Sequence, residues 1–111
     1  MATGRLGSSY LTSGSISTYT SVYPVPATYY SVFNISICNQ GTSTVTFRIA
    51  LSTSNSTPTG NAEFIEYGAS IAPNGVFERT GIVLEGGKYV LVSTTGTTVS
   101  VNVWGIETST T

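Results

Sequence analysis

The segment Thr44–Ser52 alternates apolar and polar residues with a period of two: Val45, Phe47, Ile49 and Leu51 on one side, Thr44, Thr46 and Arg48 on the other. Successive side chains of an extended chain point to opposite faces, so this pattern predicts a strand with one face buried. Phe33, Ile35 and Ile37 repeat it within Tyr29–Cys38, with Asn34 and Ser36 opposite, and Asn39-Gln40-Gly41 between the two runs marks an antiparallel hairpin. Near the C-terminus Val99, Val101 and Val103 share a face, and Trp104 and Ile106 take the other. No segment carries the 3.6-residue period of an amphipathic helix, so no helix is expected.

Turn residues divide the rest of the chain. Thr18–Val25 reads as a first strand that Pro24 and Pro26 must end or hold at an edge, because proline denies the sheet a donor. Between Glu63 and Gly87, strands near Glu63–Tyr67, Val76–Thr80 and Ile82–Leu84 are separated by Pro73-Asn74-Gly75 and closed by Gly86-Gly87. Lys88–Ser93 and Thr98–Ile106 form a last hairpin across Thr94-Thr95-Gly96. The expected fold is all-β: a single antiparallel β-sandwich, jelly-roll-like, of seven or eight strands with an extended N-terminal arm. The expected organisation is an arm over residues 1–17, the sandwich over 18–107 and a flexible tail over 108–111. The polar stretch Thr53–Asn61 is long for a hairpin connection and is either a solvated loop or one that carries contacts.

At 111 residues there is room for one core, and only 8 % of the residues are charged, against roughly 25 % in an ordinary domain. Ser and Thr, about a third of the chain, must supply the polarity. They either cover the outer faces of strands or form a neutral surface that is buried against other subunits. A net charge of −1 offers no field to gather phosphates, so no nucleic-acid partner is expected. No apolar run approaches the roughly 20 residues that span a bilayer, and no export signal follows Met1, so neither a membrane partner nor secretion is expected. The lone Cys38 excludes an internal disulfide and reads as a buried structural thiol. With no His, no Asp and five Glu, neither a catalytic constellation nor a metal or cofactor site is expected.

Several residues stand out as candidate contacts with a partner or a second subunit. Arg5, Leu6, Tyr10 and Leu11 punctuate the N-terminal segment, which either docks on a neighbour or packs or frays by itself. Tyr19, Tyr23, Tyr29 and Tyr30 lie close together, and an amphipathic ring suits a core, an interface or a sugar platform equally. Arg48, on the polar face of its strand, is a surface or a subunit contact. Glu66 and Arg79 are a candidate structural ion pair.

Several stretches together resemble small virion structural proteins of tailed bacteriophages, cyanophages among them. They are the opening Met1–Gly7, Val22–Pro26, Asn34–Asn39, Val45–Ala50, Val99–Glu107 and, most specifically, Glu63–Tyr67 followed by Ile71–Leu84. The Ser/Thr-rich Ser13–Ser21 and the Thr53–Asn61 loop depart from that pattern. The resemblance implies a non-enzymatic component of the virion, assembled in the host cytoplasm: a decoration or cement protein stabilising the head across subunits of the major capsid protein. Other virion subunits are alternative partners, and a tail or fibre component, adaptor or glycan-binding, is the alternative role. It also implies a homo-oligomer, a trimer among the options. It carries no catalytic residues.

Overall fold

A computed structural model of the chain describes residues 3–110. It contains eight strands: β1 Thr3–Leu11, β2 Thr20–Pro24, β3 Tyr29–Asn39, β4 Val45–Ser52, β5 Phe64–Ile71, β6 Val76–Glu85, β7 Tyr89–Thr94 and β8 Val99–Ser109. The helical content is one 3₁₀ turn, Asn61–Glu63. The strands form two four-stranded antiparallel sheets, ordered β1-β8-β3-β6 and β2-β7-β4-β5.

One apolar core joins the sheets. From the first come Leu11, Phe33, Ile35, Ile37, Ile82, Leu84 and the Val99/Val101/Val103 row; from the second come Val22, Tyr23, Val45, Phe47, Ile49, Ile71, Val90 and Val92. The alternation seen in the sequence thus becomes an inner and an outer face for each sheet. Burying a side chain of this size contributes about 1.5–3 kcal/mol, so the inward faces fix the register: a slip by one residue would turn every one of them to solvent.

Two close approaches set the centre of the first sheet. Gly105 lies on the inner face of β8 opposite Phe33, and a Cβ there would collide with the Val32 carbonyl oxygen and sit 2.6 Å from the Phe33 Cα. Only glycine lets these strands pair this closely. The Phe33 ring meets Tyr23 edge-on at 5.7 Å and so links the two sheets.

The structure departs from the sequence expectations at four places. Residues 3–11, expected in an extended arm, are strand β1 and pair with β8 from Thr3↔Ile106 to Leu11↔Val99. Pairing satisfies the β8 backbone groups along that side and buries Leu11; Met1 and Ala2 lie outside the described residues. The two strands expected around Gly81 are one, β6. Gly81 adopts φ +71°, the register of β3 against β6 shifts there, and the Gly81 N–H donates to Asn34 Oδ1 at 3.1 Å. Gly81 therefore makes a bulge and not a turn. The expected tail is partly strand: β8 runs to Ser109, and the N–H and hydroxyl of Thr110 both donate to the Thr28 carbonyl at 2.9 and 3.0 Å. Thr111 lies outside the described residues. Finally, Cys38 is half-buried, because inward Ile35 and Ile37 place it on the outer face of β3.

Candidate binding surfaces

The nine candidate contact residues separate into four environments. Tyr23 and Leu11 belong to the core, only 2 % and 4 % exposed, and Leu6 packs against it, so in the folded chain these three are structural. The Tyr23 hydroxyl donates to Glu107 Oε2 at 2.6 Å, a buried bond between β2 of one sheet and β8 of the other. Burial, reinforced by the Glu107 carboxylate, pushes the Tyr23 phenol up to about 12. The position of Glu107 was legible in principle. It continues the parity of Val99, Val101 and Val103, and a carboxylate on a buried face requires a donor. Tyr29 is half-buried where β3 begins.

Arg5, Tyr10 and Tyr30 lie on the outer face of the β1-β8-β3-β6 sheet. Pairing registers place Arg5 beside Trp104, Tyr10 beside Ser100, and Tyr30 between Glu85 and Thr108. Across the middle of this face Val83, Val32 and Ile106 stand side by side on β6, β3 and β8, exposed by 62 %, 36 % and 46 %. Cross-strand neighbours on one face are about 4.5–5.5 Å apart, so the three make a continuous apolar row with Trp104 and Tyr30 on its flanks.

Tyr19 and Arg48 meet on the outer face of the other sheet. Arg48 Nη1 donates to the Tyr19 hydroxyl at 3.1 Å, and the guanidinium lies 4.1 Å from the centre of the Tyr67 ring, a cation–π distance. Phe64 joins Tyr67 edge-on at 4.9 Å and approaches Tyr19 at 6.1 Å. This face is covered. Ala50 and Leu91, outward by alternation with Ile49, Val90 and Val92, are nonetheless fully buried. Residues 57–61 of the Thr53–Asn61 loop line a cleft of about 240 Å³ on this face with Tyr19, Arg48, Phe64 and Tyr67.

Glu63 anchors the loop: the backbone N–H and the hydroxyl of Thr59 donate to its two carboxylate oxygens at 2.8 and 2.7 Å. Slight burial pushes this carboxyl up. Hydrogen bonds from Thr59 and Ser52 side chains and from the Thr59 and Thr53 backbone outweigh it and hold the pKa below its ordinary value.

At the open edges of the two sheets, Arg79 Nη1 of β6 donates to Glu66 Oε2 of β5 at 2.7 Å. The pair is partly exposed and contributes at most about 1 kcal/mol. A larger cavity, about 530 Å³, lies between residues 39–45 and 95–98. Its central polar group is already committed: Asn39 Nδ2 donates to the Ser43, Ile71 and Ala72 carbonyls, and its Oδ1 accepts from the Gly41 N–H. Among the described residues no group of three or more His, Cys, Asp or Glu side chains could hold a metal ion. Comparison with known proteins finds no matching family model, no matching curated protein and no matching solved structure.

Proposed function

We propose that this protein is a non-enzymatic virion structural protein, a decoration or cement protein that binds across capsid subunits through the outer face of the β1-β8-β3-β6 sheet. The observation that carries the reading is the row Val83–Val32–Ile106. Three apolar side chains abreast on a pleated surface gain by leaving water together, and exposed apolar patches mark interaction sites. The scarcity of charge favours burial of this face, since charged groups are depleted at interface cores. Ligation of the folded form to a particle would stabilise both partners through linkage.

A jelly-roll sandwich is the fold we assign to it. Four antiparallel pairings, β1 with β8, β2 with β7, β3 with β6 and β4 with β5, are those of one long hairpin wound on itself. Winding that hairpin yields the two observed sheets, an architecture that capsid and lectin domains share. Homo-oligomerisation, including trimers, belongs to the same proposal, because the row serves a second copy as well as a capsid subunit.

The test is fractionation of the particle. Disrupted virions separated into heads and tails should show this chain with the heads, in copies that scale with the major capsid protein. Recovery with tails in tens of copies or fewer would overturn the decoration reading in favour of an adaptor or fibre. The aromatic cleft around Arg48 is the observation that favours that second reading.

A further inference from the structure

We propose that β1 is an exchangeable strand: residues 3–11 of one copy occupy the β8 edge of a second copy, which returns its own β1. The partner is a second copy of this chain. The inference rests neither on the Val83–Val32–Ile106 row nor on where in a particle the chain sits.

The side chains of β1 hold it weakly, yet its neighbour needs it. Leu11 is buried and Leu6 half-buried, while the other seven residues are Thr, Gly, Arg, Ser and Tyr. Lifting the strand therefore uncovers little apolar surface of its own. The place it fills is different. Gly7, Ser9 and Leu11 lie opposite Val103, Val101 and Val99, a row with no exposure. β8 lies between β1 and β3, so without β1 its backbone groups on that side lose their partners and the valine row loses a wall. An emptied slot has to be refilled.

The slot selects this strand. A Cβ at position 7 would collide with the Val22 carbonyl oxygen and sit 3.2 Å from the Tyr23 Cβ, so an incoming strand needs glycine there. Four residues on, it needs an apolar side chain to take the place of Leu11 in the core. β1 of a second copy meets both conditions in register. The tether permits the exchange as well. Residues 12–19 are mostly Ser, Thr and Gly, and the hydrogen bonds of residues 13–18 stay within the linker. Ser15 N–H donates to Ser13 Oγ, Ser17 N–H to Ser15 Oγ and Thr18 N–H to the Ser15 carbonyl. A straightened linker thus gives up no hydrogen bond to the rest of the sandwich. Exchanged copies keep the strand contacts of the closed form and lose only closure through their own linker, which acts as an effective concentration of about a millimolar. Exchange therefore grows where copies crowd together, and ties them without any new interface.

The experiment mixes full-length chains carrying Ser8→Cys with chains carrying Asn102→Cys, both also Cys38→Ser, unfolded together in urea and refolded. Ser8 and Asn102 are paired across β1 and β8, so a short thiol-bridging reagent joins two different chains when β1 has crossed. A chain with both substitutions should bridge within itself when dilute; failure to do so would remove the pairing and the proposal with it. In the mixture, bridged dimer should climb from background at micromolar concentration to about half of all chains at several millimolar, the limit for random partnering. Val83→Glu in both chains should leave that yield unchanged, because the outer apolar row takes no part in the exchange. A mixture at background at every concentration would overturn the proposal, as would a yield that Val83→Glu abolishes. So would equal bridging when Val76→Cys, on β6 at the far edge of the sheet, replaces Asn102→Cys.

Discussion

The two outer faces of this molecule start from the same kind of strand and end as different surfaces. On the β1-β8-β3-β6 sheet the outward residues stay uncovered, and Val83, Val32 and Ile106 remain in water. On the β2-β7-β4-β5 sheet the outward Ala50, Leu91 and Ser93 are as buried as the inter-sheet core, and loop residues 57–61 line a cleft on the same face. The first face carries an open apolar row and suits a broad partner. The second has a lid, a guanidinium and an aromatic wall, and suits a small ligand. A sheet supplies two faces at no extra cost in chain; what distinguishes them is whether a connecting segment is long enough to reach across one.

The comparison can be broken by removing what both faces share. Phe47 is fully buried and packs on Phe77 at 4.7 Å across the sheets. Phe47→Ala should cost about 3–5 kcal/mol and, in urea denaturation, lower the midpoint of a single transition that both faces report. Two separate transitions would mean that the sheets are not one cooperative unit.

Tyr23→Phe tests the polar tie between the sheets. It leaves the Glu107 carboxylate buried without its donor and should cost about 1–3 kcal/mol. The wild-type phenol is raised from its ordinary value of 10.0 to about 12, so the folded state holds its proton where the unfolded state has lost it. Its stabilising contribution is complete below pH 10 and is lost as pH rises through about 12. Urea midpoints measured against pH should therefore fall over that window in the wild type and fall less in Tyr23→Phe. An identical slope in both proteins would remove this bond from the account.

Val83→Glu sharpens the contrast between the faces. The side chain is solvated in the free chain, so stability should change by no more than about 0.5 kcal/mol. A buried unpaired carboxylate at the interface should weaken attachment to particles by about 2 kcal/mol or more. Co-sedimentation with heads stripped of this protein reads both, with Tyr67→Ala as the variant expected to bind normally. Attachment lost with Tyr67→Ala and kept with Val83→Glu would reverse the assignment of the faces.

The smallest effect concerns the lid. Glu63→Gln loses the charge that holds Thr59, so amide hydrogen exchange in residues 53–61 should quicken while the core strands stay protected. Because the folded carboxyl is held below its ordinary value of 4.5, the anchoring is present above that value and is lost as pH falls through the lowered pKa. Loop exchange that is insensitive to the substitution would show that other contacts close the lid.

Strand positions and inward faces were legible because they obey a local rule: the period of two in 33–37, 45–51 and 99–103 is the pleat itself. Two of the four departures have opposite causes. Gly81 looks like a break, but glycine also serves a bulge, and only the presence of β3 beside it distinguishes the two. The segment 3–11 looks like an arm because Gly7, Ser8 and Ser9 weaken its alternation, and β8 recruits it through backbone hydrogen bonds to which side-chain pattern is blind. The Arg48–Tyr19–Tyr67–Phe64 cluster was half visible. Arg48 and Tyr19 stood out singly, but they are 29 residues apart, and nothing local brings them together.

The sequence by itself determined which segments are extended, which side of each faces the core, and that little charge would reach the surface, since each follows from neighbours along the chain. Only the tertiary structure decided the order β1-β8-β3-β6 and β2-β7-β4-β5, the Tyr23–Glu107 and Glu66–Arg79 links between sheets, and which outer face meets the loop in a cleft. Those outcomes depend on pairings between residues far apart in the chain, whose closure is repaid only when the whole core forms at once.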